Sequence, residues 1–110
     1  MGDMGCHILD PAFYALELGA PSEIQATSTH YIPEIESQTY PSASIVRMTF
    51  PKRGNHPELK LTWSDGRIQP PIPDEFKNGE QFTLSGAMLI GDSGKITHGS
   101  HGAGGVKVIP

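Results

Sequence analysis

The 110-residue chain predicts an α+β domain: one N-terminal helix packed on a mostly antiparallel sheet of about six strands, with one face of the sheet open. Three observations carry this reading. A capping residue and a helix-compatible proline, Asp10-Pro11, stand before a run of helix formers. After Ser22 the apolar pattern switches to strand-like alternation over several short runs. Finally, 13 Gly and 10 Pro give 23 of 110 positions, about twice ordinary usage, so turns take much of the chain. The length fits a single domain over residues 1–110.

The helix is expected after Asp10. Phe13, Leu16 and Ala20 share a stripe, and Gly19 before Pro21 supplies a stop. Residues 3–10 can add a preceding helical turn, in which case Pro11 cannot donate to the His7 carbonyl and a kink results. Residues 23–29 alternate as a half-buried strand. Residues 32–40, with Pro33, read as irregular. Residues 44–50 form the strongest strand, ended by Pro51, and residues 59–63 alternate again. With Ser64-Asp65-Gly66 as a turn signal, these two runs read as paired antiparallel strands. Residues 69–73 must be extended, because each proline also restricts the residue before it. The apolar run 82–90, the turn Gly91-Asp92-Ser93-Gly94, the run 95–98 and a short strand from Val106 complete the sheet.

Composition excludes several function classes. A net charge of −4 offers no basic face for nucleic acid or anionic membrane. The single cysteine excludes an internal disulfide and a zinc ribbon. No apolar run approaches the length of a membrane span. Cys6 is expected as a small buried residue beside the helix. Trp63 and Phe50 are expected in the core. Residues 99–105 lack the spacing and the following helix of a dinucleotide fingerprint, and read as a flexible loop able to touch a ligand. His98 and His101 are three apart, but no clustered cysteines or carboxylates accompany them to complete a metal shell.

One constellation remains, in residues 3–10. Asp3 and His7 are at i and i+4, so on a helix both lie on one face. A carboxylate beside an imidazole orients the ring and stabilises its protonated form, as a general acid/base working near neutral pH requires. A cap with a surface contact explains the same two residues. Asp10 is accounted for by capping.

Asp3-Met4-Gly5-Cys6-His7-Ile8-Leu9-Asp10 resembles the D-x-G-x-H-x-x-D segment that opens the C-terminal domain of the Gfo/Idh/MocA family of NAD(P)-dependent oxidoreductases. The likeness continues through Leu61-Thr62-Trp63-Ser64-Asp65-Gly66, Pro70-Pro71-Ile72-Pro73, Ile90-Gly91-Asp92-Ser93-Gly94-Lys95-Ile96 and the glycine-rich loop to Pro110. The resemblance implies that His7 exchanges a proton with a substrate hydroxyl while Asp3 orients it. The implied substrate is a sugar, polyol or related hydroxy compound, with NAD or NADP as hydride carrier. The family's nucleotide-binding domain and its Glu-Lys-Pro segment have no counterpart in these residues. The chain is therefore expected to be a fragment that binds no cofactor alone and partners that missing domain. A homo-oligomer through the open sheet face is also expected, with no nucleic-acid or membrane partner. The alternative is a free-standing ligand- or protein-binding module built on the same sheet, without catalysis.

Overall fold

The computed structural model describes residues 1–76, 79–82 and 84–109. Thr83, inside the apolar run 82–90, and Pro110, where the family likeness ends, lie outside the described residues. The elements are α1 (Gly5–Ala15), β1 (Glu23–Ser28), α2 (Pro33–Glu36), β2 (Ser44–Phe50), β3 (Leu59–Ser64), β4 (Gly86–Gly91), β5 (Gly94–Gly99) and β6 (Lys107–Ile109). The class is α+β, with an N-terminal helix and antiparallel pairing throughout. The strands divide into two three-stranded sheets, β1-β2-β3 and β4-β5-β6. Between β3 and β4 lie Pro70, Pro71 and Pro73, which have no N–H to extend a ladder. The chain groups into two compact units, Met1–Leu18 with Pro71–Pro110, and Gly19–Pro70. Among the described residues, no helix is long and apolar enough to cross a membrane.

In the first unit, α1 starts at Gly5 and runs through Pro11. Asp10 is therefore an exposed mid-helix residue and not the cap that its place before proline suggests. Tertiary packing overrides the local signal: Gly5, Ile8 and Ala12, at i, i+3 and i+7, form the buried stripe, and α1 packs against β4. Phe13 and Leu16 are only half-buried, and Ala20 lies beyond the helix. The helix ends before Gly19, because Glu17 takes a left-handed conformation (φ 50°). The Leu18 amide then donates to the Phe13 carbonyl at 3.0 Å, a Schellman-type closure that buries the Leu18 side chain. In the sheet, Leu89, Ile96 and Val108 align across three strands. Ile96 is 41% and Val108 66% exposed, so this row stands open to solvent.

In the second unit, strand register sorts side chains by face. Ile24, Met48 and Leu61 align, as do Ala26, Val46 and Trp63, while Gln25, Arg47 and Thr62 align on the opposite face. Phe50 is fully buried, with Trp63 and Ala43 close behind. The β2–β3 connection is closed by a bridge between Arg53 and His56, helped by Gly54 at φ 51°. Ser64-Asp65-Gly66 does not connect these strands but follows β3, and it locks their open end. The Asp65 carboxylate accepts from the Ser44 amide (2.6 Å), the Ser44 hydroxyl (2.8 Å) and the Trp63 indole N–H (2.9 Å). The segment 32–40 is less irregular than its composition suggests. Pro33 opens the single turn α2, and the Ile32 amide donates to the Glu36 carboxylate at 2.7 Å.

Candidate functional site

The motif residues sit at the start of α1. Asp3 lies in the turn before the helix and is exposed, and His7 lies in the first helical turns, also exposed. Gly5 between them is buried, and a Cβ there would approach the Met1 side chain to 3.3 Å. Cys6 is exposed, not buried: it falls on the solvent side of the Gly5–Ile8–Ala12 stripe, and its thiol donates to the Asp3 carbonyl at 3.5 Å.

Asp3 and His7 are neighbours in sequence space, but their side chains are not bonded. Among the described residues, no hydrogen bond or ion pair joins the Asp3 carboxylate to the His7 imidazole. The reason is local. The helix begins only at Gly5, so Asp3 stands outside the regular turn that would bring i and i+4 together.

His7 meets a different residue. Its ring stacks on His101, with centroids 4.4 Å apart and planes 24° from parallel. His101 comes from the glycine-rich loop between β5 and β6. Its Nδ1 lies 2.9 Å from the Ser100 hydroxyl. The loop is closed at its base by the Gly99 amide, which donates to the Gly104 carbonyl at 2.8 Å. His101, Gly102, Ala103 and Gly105 all have positive φ, from 56° to 74°, which reverses the chain tightly enough to return it to β6.

The same loop settles its own fit to a dinucleotide. It joins two antiparallel strands and opens no helix, so the aligned N–H groups that hold a pyrophosphate have no source here.

His98 and His101 part company. His98 is 5% exposed in β5, with Nδ1 2.7 Å from the Gly99 carbonyl oxygen. A carbonyl only accepts, so that contact places the proton on Nδ1. Nε2 is then an acceptor, buried without a hydrogen-bond partner. Among the described residues, no three His, Cys, Asp or Glu side chains come together as a metal-holding group.

In the other unit, a shallow groove of about 260 Å³ runs over Glu23, Arg47, Lys60 and Thr62. It lies on the polar sheet face and contains none of the motif residues.

Sequence reasoning missed His101 as the partner of His7. The two are far apart in the chain, and only the folded loop brings them together. The glycine density of residues 99–105 signalled a tight reversal, but not what it would carry. Comparison with protein-family models gives no match, and comparison with curated proteins gives none either.

Proposed function

We propose that the chain is the substrate-side domain of an NAD(P)-dependent oxidoreductase acting on a sugar, polyol or related hydroxy compound. The observation that carries this reading is the D-x-G-x-H-x-x-D segment from Asp3 to Asp10, set at the open start of α1 with the His7 imidazole exposed to a ligand.

His7 takes the hydroxyl proton as the carbon beneath that hydroxyl gives up a hydride, and returns a proton in the reverse direction. NAD or NADP, the hydride carrier, belongs to a nucleotide-binding domain that partners this one. Asp3 orients the His7 ring when its carboxylate, which makes no competing bond in the described residues, turns toward it. The exposed row Ile96–Val108 supports a second copy of the chain as a further partner.

The test is kinetic. In the complete polypeptide that carries this chain, His7→Ala should lower kcat/KM for polyol oxidation by roughly 10²–10⁴-fold, with an unchanged circular dichroism spectrum. Near-normal turnover would remove His7 from the chemistry.

The second reading is a free-standing binding module, favoured by the apolar residues left exposed on the sheets, among them Ile24 (61%) and Ile90 (69%). It requires a stable 110-residue product in the source cell. An immunoblot showing only a longer polypeptide would exclude it.

A further inference from the structure

The proposed chemistry needs a His7 ring whose edge nitrogens stay pointed at the substrate. An exposed imidazole on a helix surface does not do this alone, because it turns freely about two side-chain bonds. The structure supplies a restraint from the opposite end of the chain.

We propose that His101 is a positioning residue for His7, and that the glycine-rich loop exists to present it. This rests on the acid/base reading of His7. The stack at 4.4 Å covers one flat face of the His7 ring and so restricts its rotation. A flat-face contact leaves the in-plane nitrogens unobstructed, and these are the atoms that exchange protons. His101 is itself held, through Nδ1 against the Ser100 hydroxyl.

The backbone shows how the loop delivers that ring. His101 (φ 57°) and Ala103 (φ 56°) carry side chains in a conformation that favours glycine. They flank Gly102 (φ 74°), giving three successive left-handed residues. This tight reversal returns the His101 ring to His7.

The experiment uses His101→Ala and His101→Phe, with His7→Ala as reference. Proton NMR of the 110-residue chain reads the stack. Ring current from His101 displaces the His7 ring protons upfield; His101→Ala should abolish that displacement and His101→Phe, which keeps a flat ring, should retain it. Polyol oxidation by the complete polypeptide reads the function. His101→Ala should lower kcat about 10- to 100-fold, the cost of a misplaced catalytic group, with KM little changed and with His101→Phe restoring most of the rate. If His7→Ala is harmful while His101→Ala is not, the positioning role is overturned and the reading of His7 stands. If His7→Ala itself is harmless, the underlying reading fails instead. Equal loss in His101→Ala and His101→Phe would also overturn positioning by the ring face.

Discussion

Asp65→Asn removes one charge and little else from the open end of the β2–β3 pair. The donors on the native carboxylate include the Ser44 amide, the Ser44 hydroxyl and the Trp63 indole. Partial burial pushes this carboxyl up, but its hydrogen-bond donors, Trp63 and Ser44 among them, outweigh it and hold it down at about 2, against an ordinary 3.8. A fall of that size corresponds to roughly 2 kcal/mol, which the half-exposed position of the side chain reduces to about 1–1.5 kcal/mol. Asparagine must also turn its NH₂ toward one of the donors, so the expected destabilisation at pH 7 is about 1–2 kcal/mol. Because the folded carboxyl titrates below the unfolded one, its contribution is complete above about pH 4 and is lost as pH falls toward 2. Urea unfolding followed by the single tryptophan, Trp63, should show the variant less stable at pH 7, with the gap closing between pH 4 and pH 2. Equal midpoints at pH 7, or a gap that persists at low pH, would refute this account of the Asp65 cluster.

Other substitutions test the packing. Gly66→Ala should be severely destabilising, by more than about 3 kcal/mol, since φ is 66° and a Cβ would sit 2.2 Å from the Ser42 carbonyl oxygen; a thermal midpoint near wild type would contradict it. Phe50→Ala, at the only fully buried large side chain among the described residues, should cost about 3–5 kcal/mol in urea unfolding. Ala103→Gly should stabilise the first unit by up to about 1 kcal/mol, because it relieves a left-handed alanine at the expense of a more flexible unfolded chain. A lower midpoint in that variant would show that the loop conformation is not strained.

The strands were legible because alternation is a local property. β2 occupies residues 44–50, the strongest strand run, and β1, β3, β5 and β6 fall within a residue or two of their expected bounds. β4 begins at Gly86 rather than at the start of its apolar run, because a glycine paired with Gly99 opens the ladder. Legibility failed where a local signal had two meanings. Asp10-Pro11 reads as a helix start, yet burial of Ile8 and Ala12 carries α1 straight through it. Ser64-Asp65-Gly66 reads as a hairpin turn, yet it serves as a latch on Ser44. The count of strands came from the sequence, but their division into two sheets depends on which long-range pairs form. For the candidate site, the motif located Asp3 and His7, and the backbone placed them either side of the helix start. The His7–His101 stack joins opposite ends of the chain, and no periodicity or spacing encodes such a contact.

The proposal that this chain belongs to an oxidoreductase is tested most directly by reading the coding sequence upstream of the Gly2 codon in the source DNA. The account predicts an in-frame extension of about 150 residues, encoding a strand, a G-x-G-x-x-G turn opening a helix, and a Glu-Lys-Pro segment. A stop codon and ribosome-binding site immediately before Met1 would contradict it, and would leave a small protein whose His7 has no hydride carrier to work with.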